Sequence, residues 1–409
     1  MAAIESSSGP EWRTGGLGEP ISLYVHIPFC RSRCSYCAFN TFTGLDALIW
    51  PYVRALVREM ELVSAGAGGQ IGSAHTLYLG GGTPSLLSPC QVEAVINAAK
   101  SCFDLTPDAE ISIEVNPGTV DLAKLCGYRA AGVNRVSIGV QSAQPSELIL
   151  FGRDHSFEEA ADAFQAARGA GFDNISVDLI YGAPTQTFSG WRDTLCQVLA
   201  WEPDHLSLYS LTLEPQTLLS REVGAGRLSL PDDDLVADMY DDARRHMAHA
   251  GFVQYEISNW ARAGKECYHN RQYWLNRPFL GFGSGAHGAA GGVRYWNVRH
   301  VHEYLSRVGE GAVRQFPFSP ALAEYETVDW RTGMAETIIL GLRLVQDGLN
   351  CVDFMQRFGV CPAEVYAAPI AELTHLGLLA ECEGALRLTE RAYLISNQVF
   401  IRFLPGNDT

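Results

Sequence analysis

The chain has 409 residues, more than one compact core usually holds, so one large domain and a smaller one are expected. Its 46 acidic and 30 basic residues leave a formal net charge of −16, which repels phosphate backbones and anionic lipid and argues against a nucleic-acid partner. No signal-peptide core, membrane-length apolar run or paired cysteine framework is evident, and eleven cysteines, mostly single, fit the reduced thiols of a cytoplasmic protein.

Residues 1–20 are polar and rich in Gly, Ser and Glu, and are expected to be flexible. The stretch Ser22–Phe42 follows, SLYVHIPFCRSRCSYCAFNTF, with Cys30, Cys34 and Cys37 just after an apolar strand-like run. Three thiolates at this spacing suit an iron–sulfur cube, in which each cysteine ligates one iron corner and the fourth iron has no protein ligand. A tetrahedral zinc site would want a fourth Cys or His nearby, and the next cysteine is Cys90. The plainer alternative is three unrelated thiols.

The C-x3-C-x2-C spacing, with Tyr36 before the last cysteine, resembles the cluster motif of the radical S-adenosylmethionine (SAM) superfamily. That resemblance implies a [4Fe-4S] cluster whose open iron binds the amino and carboxylate groups of SAM. Electron transfer from the cluster then cleaves SAM to a 5′-deoxyadenosyl radical. Tyr24, in YVHIPFC, narrows the resemblance to the branch of oxygen-independent coproporphyrinogen III oxidases. Phe39 stands where those oxidases carry a further cysteine, so YCAF resembles their sister family, the haem chaperones HemW.

Downstream, strands are expected near Leu23–Ile27, Thr76–Leu79, Ile111–Val115, Arg135–Val140, Ile175–Ile180 and His205–Leu211. Amphipathic helices are expected between them, around Trp50–Ser64, Gln91–Phe103, Leu122–Ala131, Phe157–Ala170 and Phe188–Ala200. This alternation implies βαβ units and a parallel sheet, and it matches the partial (β/α)6 barrel of the superfamily. The barrel is expected over 21–230, an extension over 231–330 and a smaller α+β, winged-helix-like domain over 331–409.

The period-2 pattern assigns the strand faces. Ile111, Ile113 and Val115 oppose Ser112, Glu114 and Asn116; Val136, Ile138 and Val140 oppose Ser137, Gly139 and Gln141; Ile175, Val177 and Leu179 oppose Ser176 and Asp178. With helices covering the apolar faces, Glu114, Gln141 and Asp178 line a polar interior that favours a ligand over packed side chains. Tyr24 and His26 of the first strand also face inward, while the sixth strand does not decide its register.

After Leu79 comes Gly80-Gly81-Gly82-Thr83-Pro84, where backbone can approach a ligand closely. A plain turn explains such a string by itself. After the cysteine motif it resembles the family segment that holds the SAM amino group, through Gly81, Gly82 and Thr83. The resemblance also implies that Glu114 in IEVNPG meets the SAM ribose, with Gln141, Arg153 in GRDH and Asp178 in VDLIYGAP as further SAM contacts. Tyr24 and Tyr36 belong with that set. Taken singly, each carboxylate is as well explained as a strand-end or capping group, and whether the chain binds two SAM molecules is open.

A long helix is expected over Pro231–Ala250, opened by Asp232. Beyond it lie His269-Asn270-Arg271-Gln272-Tyr273-Trp274 and the glycine-rich GFGSGAHG. A histidine followed by aromatics suits the face of a macrocycle with imidazole as axial ligand; it equally suits a buried histidine among core aromatics. HNRQYW resembles the HNxxYW motif of the haem chaperones, which makes His269 the first candidate for haem contact and His287 the second. In the last segment, helices at Met334–Val345 and Pro362–Leu376 precede a strand pair at Leu378–Leu379 and Ala385–Leu388. Between Val360 and Phe403 there are three Arg, no Lys and five Glu, so a DNA-reading role fails on charge.

The resemblance implies a chaperone that carries haem as cargo to haem-accepting proteins such as respiratory enzymes. A low-potential donor such as flavodoxin or ferredoxin would serve its cluster. The alternatives are an oxidase that decarboxylates porphyrinogen propionates, against which Phe39 and the short N-terminus weigh, and another radical SAM enzyme such as a methyltransferase, against which HNRQYW weighs.

Overall fold

The computed structural model describes residues 19–69 and 71–405, so the flexible N-terminus expected over 1–20 lies almost wholly outside the described residues. Six strands follow one another as parallel neighbours: β1 (Ile21–Ile27), β2 (Ala74–Gly81), β3 (Glu110–Val115), β4 (Arg135–Gln141), β5 (Ile175–Tyr181) and β6 (His205–Ser210). Helices connect them, so each parallel crossover is covered on its outer face. The main ones are α1 (Ile49–Gly66), α2 (Pro89–Phe103), α3 (Leu122–Ala131), α4 (Pro145–Phe151), α5 (Phe157–Gly169) and α6 (Phe188–Leu199).

Local sequence sets these boundaries. Ser88 and Gln91 form a capping box at the start of α2, with Pro89 at its first position, and Ser156 with Glu159 does the same for α5. The apolar faces of the strands, such as Ile113, Val136 and Val177, are fully buried beneath the helices. Each is worth about 1.5–3 kcal/mol relative to exposure.

The sheet does not close. Past α7 (Leu218–Gly224) and α8 (Asp233–His249), the chain adds β7 (Val253–Glu256), β8 (Asn259–Ala261) and the short helix α9 (Tyr268–Trp274). It then adds β9 (Phe279–Phe282), β10 (His287–Ala290), β11 (Val293–Asn297), α10 (Val301–Glu310) and β12 (Leu322–Thr327). The twelve strands run β12-β11-β10-β9-β1-β2-β3-β4-β5-β6-β8-β7, with β9 parallel to β1. A partial barrel therefore has antiparallel extensions on both flanks. The glycine-rich GFGSGAHG is the end of β9, a turn and the start of β10. Fully buried Glu59 of α1 fastens this flank, accepting from Gly283 N–H, Asn297, Ser319 and Tyr304.

The final unit starts with α11 (Trp330–Gly341) and carries a small sheet of Leu349–Asn350, Ala385–Leu388 and Leu379–Cys382. Between the first two of these strands lies α12 (Cys351–Phe358), followed by two short helices. The single helix expected over Pro362–Leu376 is broken at Tyr366 into Pro362–Val365 and Ala367–His375. Pro369 has no N–H to continue a helical ladder, so it sits in the first turn of a new helix. None of the described helices is long and apolar enough to cross a membrane, and all eleven cysteines are unpaired.

Candidate functional site

The cysteine loop is folded back onto the mouth of the barrel. Phe29–Cys30 pairs in parallel with Phe42–Thr43, which draws the two ends of the loop together. Ser35 is bound at both backbone and side chain, donating to Phe151 O at 2.9 Å and, from its hydroxyl, to Leu150 O at 2.6 Å. His26 Nε2 lies 2.9 Å from Asn40 O, and the Asn40 amide donates to Ser284 O and Arg299 O at 3.0 Å.

Held this way, Cys30, Cys34 and Cys37 all line a cavity of about 410 Å³ that opens inward along the strand ends. Tyr36 lines it too, edge-on to Phe151. Opposite the loop, Gly81, Gly82 and Thr83 form part of the same wall. A Cβ on Gly82 would stand 2.8 Å from Phe29 O and 2.9 Å from Cys30 Sγ, so only glycine lets the segment approach the thiol. The Thr83 hydroxyl donates to Cys30 Sγ at 3.5 Å. Burial pushes the Cys30 and Cys37 thiols up, so metal binding there would have to displace their protons.

Arg153 is firmly placed. Its guanidinium donates to Cys34 Sγ at 3.4 Å, and to Asn116 Oδ1 and Gly139 O at 3.0 Å. It thereby ties the cysteine loop to the ends of β3 and β4.

The inward polar row lies where strand alternation puts it. Glu114 accepts from Gly81 N–H and from the Tyr78 hydroxyl, both at 3.0 Å; burial first and Asp178 second push its pKa up to about 7. Asp178 accepts from the Ser137 hydroxyl at 3.0 Å and is raised by burial. Gln141 follows a register shift at the end of β4 and has φ of +69°, a left-handed conformation that costs a non-glycine residue energy and turns its side chain to the cavity. In β6, Ser207 and Tyr209 take the inward side.

Three expected site residues stand elsewhere. Tyr24 lies inside the barrel but behind the cavity wall, with its hydroxyl 3.0 Å from His26 Nδ1 and its ring stacked on Tyr78. His287 opens β10, exposed and stacked on Trp296, away from the cavity lining. His269 is the third. The helix α9 plugs the barrel floor: Glu110 accepts from its Tyr268 and His269 N–H groups at 2.9 Å, and His269 stacks on Tyr78. Its Nδ1 is 2.8 Å from Thr76 Oγ1 and its Nε2 2.8 Å from Tyr273 Oη. The ring is 1% exposed and burial lowers its pKa to about 3. Both ring nitrogens are thus engaged within the protein, as suits a buried histidine among core aromatics.

The sequence reading omitted Arg135, Tyr78 and Asn270 from the cavity wall. Arg135 was within reach of the alternation, since it shares a face with Ser137 and Gly139. Asn270 carries no such signal, because α9 is far from the barrel strands in sequence.

Among the described residues no three His, Cys, Asp or Glu side chains gather around one ion position. Three thiols spread along a cavity wall instead suit a cluster whose irons each take one sulfur. An open parallel sheet with a polar interior facing a three-cysteine loop defines a radical SAM protein.

The comparisons agree. The radical SAM superfamily model matches residues 24–196, and the HemN C-terminal domain model matches residues 331–395. The heme chaperone HemW of Bacillus subtilis is 35% identical, covering 94% of this chain and 99% of the relative. That of Escherichia coli is 34% identical over 94% of this chain and 98% of the relative. Among solved structures, the coproporphyrinogen III oxidase HemN of Escherichia coli superposes with a TM-score of 0.80 at 25% identity, covering 95% of this chain and 91% of that one. The chain belongs to the HemW family of heme chaperones.

Proposed function

We propose that this protein binds haem and delivers it to haem-requiring proteins, such as respiratory enzymes, in the cytoplasm. Cys30, Cys34 and Cys37 hold a [4Fe-4S] cluster, which supplies an open iron and low-potential electrons when bound. Gly81, Gly82 and Thr83 cradle the aminoacyl end of SAM, while Glu114, Gln141 and Asp178 contact the rest of it. Arg153 orients the loop through its bond to the Cys34 sulfur. A small low-potential electron-transfer protein, flavodoxin or ferredoxin, serves the cluster.

The observation that carries this reading is the near-full-length match to relatives named heme chaperones, spanning barrel, flanks and C-terminal unit. The exposed Phe39 ring beside the cluster loop adds to it, since Phe39 offers neither a thiol nor a proton. Phe39, Tyr209 and Leu211 give the cavity an apolar border suited to the edge of a macrocycle.

A second reading, radical decarboxylation of a porphyrinogen, is favoured by the superposition on HemN. Anaerobic titration separates the two. The protein with its cluster should form a stable haem complex and leave coproporphyrinogen III unchanged in the presence of SAM and reductant. Appearance of the decarboxylated porphyrinogen with SAM turnover would establish the oxidase instead.

A further inference from the structure

Arg135 is the first residue of β4, on its inward side, and lines the same cavity at the floor end of the strands. It is 2% exposed, and its Nε is buried with no hydrogen-bond partner. Among the described residues, no carboxylate oxygen lies within 4.0 Å of the guanidinium. A guanidinium presents five donors and keeps its charge at any pH a protein survives, so burying it unpaired is costly.

The neighbouring groups have already committed their bonding elsewhere. Glu110, the carboxylate that acts most strongly on Arg135, accepts from the Tyr268 and His269 N–H groups, Asp178 is satisfied by hydroxyls, Ser137 among them, and Glu114 by Gly81 N–H and the Tyr78 hydroxyl. They act on Arg135 only at longer range. The flanking imidazoles of His205 and His269 are kept neutral by burial and by the Arg135 charge. Arg135 is thus a fixed cation at the floor, facing a polar cavity with donors to spare.

We propose that Arg135 anchors a carboxylate subsite at the cavity floor, taking a propionate arm of the tetrapyrrole in a forked ion pair. This rests on the reading that the cavity takes SAM and the chain handles haem. In the radical SAM arrangement the SAM carboxylate belongs at the open iron, by the cysteines, which leaves Arg135 for a carboxylate from another molecule. A carboxylate at the floor is also positioned to tell a free-acid tetrapyrrole from an esterified one.

The test uses the full-length protein with its cluster, titrated anaerobically with haem and with haem dimethyl ester. Wild type should bind haem about tenfold or more tightly than the diester, as loss of a charge-assisted pair predicts. Arg135→Met should reduce that preference to about twofold, and Arg135→Lys should retain an intermediate preference, since lysine keeps the charge without the fork. Sodium propionate should raise the Tm of wild-type protein more than sodium chloride at equal ionic strength, a readout that needs no variant.

Equal binding of haem and diester by wild type would overturn the propionate assignment while leaving haem binding intact. So would an Arg135→Met protein that weakens for SAM but not for a SAM analogue lacking the carboxylate, with its haem preference unchanged. If no haem binds at all, the haem reading itself fails, and a propionate effect on Tm no larger than that of chloride would then end the anion subsite as well.

Discussion

Glu114 sits where solvation and function compete. Its carboxylate holds Gly81 of the cysteine-facing segment and Tyr78 of the barrel floor, yet burial and Asp178 raise its pKa from 4.5 to about 7. The folded protein therefore holds this proton more tightly than the unfolded chain. Its contribution to stability is full below the unfolded value and is lost as pH rises through about 7. Glu114→Gln should flatten that loss and make the ligand-free protein more stable than wild type near pH 8 by about 1–3 kcal/mol, allowing for solvent in the open cavity. Denaturant unfolding of both proteins across this range checks it, and parallel curves would remove Glu114 as the titrating group. At this scale much of the site was legible in the sequence, because alternation within a strand dictates which side chains share a face. Glu114, Gln141 and Asp178 followed from it, and Ser207 and Tyr209 would have done so had HLSLYSLTL contained a polar break to fix its phase. Tyr24 was correctly placed inside the barrel, but alternation says nothing about depth, and Tyr78 stands between it and the cavity.

The helix α9 illustrates the limit at the next scale. By itself HNRQYW suits a macrocycle face or a buried histidine among aromatics; the structure surrounds it with β2, β3 and the start of β4. Its seven residues are too few to be stable alone, so its hold on the barrel comes from Glu110 at its N-terminus and Thr76 against His269. Glu110→Ala should cost about 1–3 kcal/mol and raise amide exchange across Tyr268–Trp274, with α8 unaffected. Exchange unchanged in α9 would mean that packing alone fixes it. The six barrel strands were legible to within a residue or two, since their apolar runs and helix caps are local signals. The flank strand β9 was not. Its glycines read as a loop, yet a Cβ on Gly281 would meet His287 O, so those glycines exist to let two strands meet.

Across the whole molecule, the C-terminal unit is fastened to the barrel by polar and backbone bonds from several directions. Val345 N–H donates to Tyr255 O, Arg271 pairs with Asp347 at 2.6 Å, and Arg244 pairs with Glu390 at 3.0 Å while covering the Tyr393 ring. The buried Met334 and Ile338 of α11 continue the barrel's own core. Truncation after Asp329 should therefore expose apolar surface and give aggregates on size exclusion, rather than a monomeric barrel. A monodisperse truncated protein would show that the two units fold independently. The outermost strand β12 has a different bearing. It leaves five of its six residues exposed, with Glu324 and Glu326 among them, Glu326 paired to Arg294 of β11 at 2.7 Å, and among the described residues no strand lies beyond it. Two copies meeting rim to rim would have to bury the exposed Glu324 and break or crowd the Arg294–Glu326 pair, which disfavours growth of the sheet. An edge remote from the chemistry thus helps keep one molecule from templating the next.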